Sequence, residues 1–534
     1  MSRMALSSHL TRRSLLIATA AATAAAQIHG PQSTLAHPSA SRQATPTPTN
    51  VWPDAASIPN NVAADASPRF RAVADAVKAA MAANGVPGTA LGILMDGEEE
   101  HAVFGFANLE TQEKVTPETR FQIGSVGKTY TATATMQLIA AGKIDLYAPV
   151  RTYLPDLQLQ DESVAARVTI LHLMTHTAGW WGDTFFDTGD GDDAISKLVE
   201  EWLPKLPQYA PLGMFASYNN GATVLLGRVL EVVEGKRYRD VIQDLLLDPL
   251  GMSYSTYDIA EAESHPYSLG YHSSPQATEL QTPLHLPRSI EPAGGNFWST
   301  TPEQLLFARL HLSDGVAPDG TRLLPAYSAQ LMRTAQSSFS GVSAMHMGLI
   351  WFVQEIGGIR FATHIGDTFG QHTTLLLAPD EGFAMVLLTN AEPGGGAAAS
   401  AANVEAARAY LGMDDDATQV GVGGAVSYAA DTSPLDLSSA ELAEYTGRFE
   451  TPVDGMSLRV DGNQLLISVE TKDMEGYVRE AILPADVTDY PVSVITGDRL
   501  AIGSSMVASF IRKPDGEIGW LRASVRTMPK VDAG

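Results

Sequence analysis

Ser125 and Lys128 stand three residues apart in the run Phe121-Gln122-Ile123-Gly124-Ser125-Val126-Gly127-Lys128. On a helix that spacing puts both side chains on one face. A serine hydroxyl is a weak nucleophile until a neighbour takes its proton. A buried lysine can take it, because loss of water disfavours the charged amine. A serine in the first turn of a helix also offers its amide to an oxyanion. Two other groups carry compatible chemistry. In Tyr218-Asn219-Asn220, the Tyr218 phenol can relay a proton to a leaving group, and an asparagine amide can hold lysine and substrate together. In His364-Ile365-Gly366-Asp367, Gly366 lets a substrate backbone come close and the Asp367 amide can complete an oxyanion hole. Each also has a plain structural reading when taken singly. The tyrosine packs, an asparagine caps the following helix, and the histidine sits on a strand ahead of a turn glycine.

Such groups work only on rigid elements. Phe70, Val73, Val77 and Met81 share one face of a helix that Asn84-Gly85 ends before Pro87. Strands are expected at Thr89 to Met95 and His101 to Ala107, joined at Asp96-Gly97. Ser125 to Ile144 reads as a long buried helix and Ala222 to Val233 as another. Strand character returns at Gly358 to Ile365, Thr373 to Leu377 and Phe383 to Leu388, and Gly394-Gly395-Gly396 precedes a helix ending near Gly412. Helix and strand at both ends of a helical middle predict an α+β domain, an antiparallel sheet flanked by helices plus an all-helical region. From Leu435 short strands recur at Ser457 to Val460, Leu465 to Val469 and Met506 to Ile511, which predicts a small antiparallel barrel or sandwich. The expected organisation is an export signal over 1–36, a linker over 37–60 and a catalytic domain over 61–412. A second linker over 413–434 and an all-β domain over 435–534 complete it.

Composition narrows the function classes. The chain has 534 residues, a formal charge of −25 and no cysteine. The negative charge argues against nucleic-acid partners. The missing cysteine removes disulfides, zinc–thiolate sites and thiol nucleophiles. Thr11-Arg12-Arg13-Ser14-Leu15-Leu16, followed by an alanine-rich stretch, reads as a twin-arginine export signal. An ordinary secretory signal with adjacent arginines reads the same way, and both place the mature chain in the periplasm or outside the cell. No apolar run long enough for a membrane span follows it.

The three motifs, in this order, resemble the set of the class C β-lactamase and penicillin-binding-protein family: Ser-x-x-Lys, Tyr-x-Asn and Lys/His-x-Gly. Thr169-Ile170-Leu171-His172-Leu173-Met174-Thr175-His176-Thr177-Ala178-Gly179, Asp248-Pro249-Leu250-Gly251-Met252 and Pro292-Ala293-Gly294-Gly295 have the same look, so the resemblance spans about 65 to 412. It implies a β-lactamase/transpeptidase-like fold and a serine hydrolase in which Ser125 attacks and Lys128 and Tyr218 share the proton. Asn220 then orients them, and the amides of Ser125 and Asp367 bind the oxyanion. No metal or organic cofactor is implied, and the expected partner is a small-molecule or peptide substrate. Where many such β-lactamases carry lysine this chain has His364, a partly charged group near neutral pH. That is closer to the D-aminopeptidase, D,D-carboxypeptidase and esterase branches. Leu442-Ala443-Glu444-Tyr445-Thr446-Gly447-Arg448-Phe449 resembles the start of the lipocalin-like barrel attached to several of these hydrolases. A binding protein that is acylated but not turned over, or an assembly scaffold, is the alternative.

Other motifs fail on inspection. Gly127-Lys128-Thr129 imitates a phosphate-binding loop, but Gln122 stands where its first glycine is needed. His172 and His176 have the spacing of a zinc-protease helix, but Leu173 replaces the required glutamate. There is no Gly-x-Ser-x-Gly elbow. Trp180, Trp181 and Trp298 fall beside the family-like segments and either line a cleft or pack.

Overall fold

Strand alternation sets the architecture. In the strand Phe383–Thr389, Phe383, Met385 and Leu387 face one apolar core, while Ala384, Val386 and Leu388 face another. Both faces are buried, so this strand lies mid-sheet with helices on either side. The computed structural model describes residues 55–339, 345–414, 433–474, 477, 487–502 and 506–531. The expected export signal, most of the 37–60 linker and most of the 413–434 linker lie outside the described residues.

Nine strands of the main sheet are described: β1 (Gly88–Met95), β2 (Glu98–Asn108), β3 (Glu113–Lys114), β4 (Ser337–Ser338), β5 (His346–Met347), β6 (Phe352–Ile356), β7 (Ile359–Thr368), β8 (Gln371–Ala378) and β9 (Phe383–Thr389). Their order across the sheet is β3-β2-β1-β9-β8-β7-β6-β5-β4, with every neighbouring pair antiparallel. The β1–β2 hairpin turns at Asp96-Gly97, both with positive φ, as a tight two-residue turn requires. Helices α1 (Pro68–Asn84) and α5 (Gly394–Leu411) cover one face through Phe70, Val73, Val77 and Met81 against Ala398, Ala402 and Ala406. On the other face lie α2 (Gly127–Ala140), α3 (Asn220–Glu234) and α4 (Thr301–Leu312) with the helical middle of the chain. The α+β architecture is therefore as expected.

Two elements differ from the sequence expectation. Ser125 lies in a 3-10 turn, Gly124–Val126, and the α-helix proper runs only from Gly127 to Ala140. Packing explains how so polar a helix is buried. The hydroxyls of Thr129, Thr133 and Thr135 donate to the carbonyls of Val126, Thr129 and Thr131, each at 2.7 Å, which satisfies them without water. The end of the expected first linker is not free of contacts either. Ile58 is buried in the α1–α5 core and Asn60 bridges to Phe104.

At the C-terminal end, eight strands close into a barrel: β10 (Gly447–Glu450), β11 (Asp454–Asp461), β12 (Gln464–Thr471), β13 (Val487–Ile495), β14 (Arg499–Ile502), β15 (Met506–Arg512), β16 (Ile518–Ala523) and β17 (Arg526–Val531). Closure by β10 on β17 leaves no open edge. Phe449, Leu458, Ile467, Leu500 and Leu521 fill the interior. The barrel leans on the main domain, where Trp520 Nε1 donates to the Tyr209 carbonyl at 2.8 Å and Arg522 donates to the Ala216 carbonyl at 2.7 Å.

One contact ties the fold to the Ser125 turn. A Cβ added at Gly227 of α3 would lie 2.3 Å from Pro292 Cγ, so the helix presses on the 292–295 loop at van der Waals limit. Gly227→Ala is expected to cost about 1–3 kcal/mol of stability through overpacking, read as a lowered urea midpoint. An unchanged midpoint would show that the loop yields freely.

Candidate active site

From Phe121 to Met136 every residue is buried except Ser125. The 3-10 turn therefore presents one side chain to the outside and packs the rest. Lys128 is fully buried, and its Nζ donates to Ser125 Oγ at 2.8 Å and to the Ala293 carbonyl at 2.6 Å. That carbonyl comes from Pro292-Ala293-Gly294-Gly295, which the sequence singled out without a role. The loop can reach the Ser125 turn only as glycine: a Cβ at Gly294, whose φ is +100°, would fall 1.9 Å from the Gly124 carbonyl.

Strand β7 lies beside the same turn. A Cβ at Gly366 would fall 2.8 Å from the Ser125 nitrogen, and one at Gly124 would fall 2.8 Å from the Asp367 nitrogen. The amides of Ser125 and Asp367 are thus brought side by side, as an oxyanion hole needs.

Tyr218, on the segment leading into α3, is buried with its ring 5.0 Å from Lys128 Nζ. The two asparagines divide their work. Asn219 is the helix cap, accepting from the Ala222 amide at 2.7 Å. Asn220 begins the helix, and its Nδ2 donates to Asp183 Oδ1 at 3.4 Å.

His364 departs from expectation. It is fully buried, and Nδ1 donates to the Ile365 carbonyl at 2.6 Å. Burial, reinforced by the nearby Lys128, pushes its pKa down to about 3. The ring is therefore neutral at pH 7 rather than partly charged, and it cannot serve as a fixed cation for a substrate carboxylate. His176 behaves alike. It lies 4.7 Å from the Tyr218 ring, accepts from the Asn219 amide at Nδ1, and burial and then Lys128 lower its pKa well below the usual range. The sequence offered His176 a role only in a zinc-like spacing that fails and did not connect it with Tyr218. His172 is elsewhere, closing a capping box with Thr169.

Behind Asp367 lies a charged group that the sequence did not suggest. His372 Nδ1 meets Asp367 Oδ1 at 2.6 Å and Glu392 Oε1 at 2.8 Å. Burial opposes the imidazolium, but the carboxylates of Asp367 and Glu392 outweigh it and hold its pKa up at about 10. Burial would raise Asp367 as well, yet His372 keeps it down at about 2. Glu392 is pushed up to about 8, by burial and then by the Asp367 charge. Among the described residues these three form the grouping whose ligand atoms, within 4.8 Å of one another, are close enough to share a metal ion. Their hydrogen bonds to each other already satisfy them.

Two further side chains reach Tyr218 from distant sequence. Asp183 and, from the barrel, Arg526 line a cavity with Trp181, Tyr209 and Tyr218. No motif marks either of them. Trp181 thus lines the cavity, whereas Trp298 is packed against Tyr267 and His285.

A family model described as Beta-lactamase matches residues 73–409. The chain is 37% identical over 314 residues to penicillin-binding protein 4 of Amycolatopsis lactamdurans, covering 57% of this chain and 81% of that one. It is 28% identical over 210 residues to a β-lactamase of Providencia stuartii, covering 39% of this chain and 52%, about half, of that one. Among solved structures, SurE with D-Leu superposes with a TM-score of 0.64 at 22% identity, over 87% of this chain and 99% of that one. The octameric penicillin-binding protein homologue from Pyrococcus abyssi does so with a TM-score of 0.57 at 21% identity, over 86% and 99%. At such identities these two likenesses speak for the fold alone.

The Asp367–His372–Glu392 group gives a pH signature. His372 is raised from its ordinary 6.5 to about 10, so its contribution to stability is complete below pH 6.5 and is lost as the pH climbs toward 10. Glu392, raised from 4.5 to about 8, adds a loss that accrues from about pH 4.5 and is complete near pH 8. The thermal midpoint should therefore fall over these ranges, and His372→Asn should flatten the fall. A slope equally steep in the variant would place its cause elsewhere.

Proposed function

The chain belongs to the beta-lactamase family, and on that premise we propose that it is a hydrolase working through an acyl-enzyme on Ser125. The observation that carries this reading is the 2.8 Å contact of buried Lys128 Nζ with Ser125 Oγ, the one outward side chain of its turn. In the proposed sequence Ser125 Oγ attacks a substrate carbonyl and gives up its proton to Lys128 or Tyr218. The carbonyl oxygen becomes an oxyanion held by the amides of Ser125 and Asp367. The proton then passes to the leaving atom, and water releases the acyl group by the same steps reversed.

An uncharged His364 favours an ester, or a D-amino acid amide or peptide cleaved away from its carboxylate, over a β-lactam as substrate. A β-lactam carboxylate would find no fixed charge at that position. Thr11-Arg12-Arg13 and the stretch after it support export through the twin-arginine route. Among the described residues no helix is long and apolar enough to cross a membrane. The second reading, a protein that is acylated but not turned over, is separated from the first by product release.

The test is intact mass after exposure to a fluorophosphonate, a penicillin and a D-alanyl peptide ester. An adduct is expected on the wild type and none on Ser125→Ala, with the true substrate class consumed repeatedly. Lys128→Ala should slow acylation by about 10²–10⁴-fold. A folded wild type that forms neither adduct nor product overturns the reading.

A further inference from the structure

We propose that Arg526, a residue of the barrel, is a positioning residue for Tyr218, so that the β16–β17 hairpin is a working part of the hydrolase site. This rests on the reading above, in which Tyr218 handles a proton.

The hairpin grips the segment that carries the tyrosine. The Tyr218 amide donates to the Val525 carbonyl at 2.9 Å, the Thr527 amide donates to Ser217 Oγ at 3.2 Å, and Arg522 holds the Ala216 carbonyl. Three consecutive residues are thus fixed by one turn of the barrel. From that turn Arg526 projects over Tyr218, its guanidinium carbon 5.2 Å from the ring centroid. Arg526 Nε donates to both carboxylate oxygens of Asp183, at 2.9 and 3.0 Å. The same carboxylate accepts from Asn220 Nδ2. One acid therefore joins the barrel arginine to the asparagine of the Tyr-x-Asn motif.

The charges around the phenol decide what this does. The Tyr218 ring faces Lys128 from α2, neutral His176, neutral His364 from β7 and Phe352 from β6. Asp183, and Asp454 from the barrel, line the cavity it shares with Arg526. Among the described residues, the cations given over the ring are Lys128 and Arg526. Lys128 changes charge if it takes part in proton transfer, whereas an arginine does not. A permanent cation beside a phenol favours the phenolate. Arg526 thereby eases the step in which Tyr218 phenolate accepts the Ser125 hydroxyl proton as the Oγ–carbonyl bond forms. The resulting phenol returns that proton to the leaving atom as its bond breaks. Asp183 fixes the guanidinium and offsets part of its charge.

The experiment measures the rate of fluorophosphonate labelling against pH for the full chain, with folding checked by circular dichroism. In Arg526→Gln the rate at neutral pH should fall about 10-fold or more, and the rising limb should move up by about one pH unit. Arg526→Lys should restore part of the shift. Asp183→Asn should move the limb the opposite way, because the guanidinium charge is then uncompensated. A limb in Arg526→Gln that superimposes on the wild type, or one that moves the same way in both variants, overturns the inference. If Arg526→Gln does not fold, Asp183→Asn decides alone, and an unmoved limb overturns it. A wild type that is not labelled at all defeats the underlying function reading and this inference together, which the other outcomes do not.

Discussion

The amine of Lys128 lies where solvent does not reach, between the hydroxyl of Ser125 and the carbonyl of Ala293. Hiding an amine is costly unless its hydrogen-bonding capacity is met, and much of the surrounding architecture meets that condition. The threonine-rich helix has its hydroxyls satisfied by nearby carbonyls and can therefore be buried from Gly127 through Met136. The 292–295 loop is pressed inward by α3, which brings the Ala293 carbonyl to the amine. Strand β7 closes the other side through a glycine that no larger residue could replace without striking the Ile123 carbonyl. What remains open is the direction in which Ser125 points.

Burial also governs the electrostatics. Two histidines near Tyr218 are kept neutral, while a third, His372, is held charged by its contacts with Asp367 and Glu392, only a few residues from the end of β7. Residue type alone does not separate these cases. Each ring sits in a dry environment, and the difference is whether a carboxylate sits against it.

The barrel is more than an appendage. Its hairpin supplies hydrogen bonds to the Tyr218 segment and places Arg526 and Val525 at the site. A closed barrel has no strand edge for such work, so a turn and the side chains flanking it make the contact.

The sequence by itself carried the α+β class, most helix and strand positions and the three motifs, because these depend on local periodicity and on residue types at short spacing. It also pointed to Pro292-Ala293-Gly294-Gly295 without saying that Ala293 would offer a carbonyl to Lys128. It placed Ser125 on a long helix, where packing instead made a 3-10 turn followed by a shorter helix. Residue types alone left open which asparagine caps and which does chemistry, the resemblance chose Asn220 for the chemistry, and the partly charged His364 it expected is neutral. Asp183, Arg526 and the pairing of Asp367 with His372 and Glu392 had no signal in it, Asp367 having entered only for its amide. Those features arise between residues far apart in the chain, where burial and neighbouring charge set the protonation state and direction of a side chain. Such surroundings exist only once the sheet, the helical region and the barrel have packed together, so tertiary structure alone decided them.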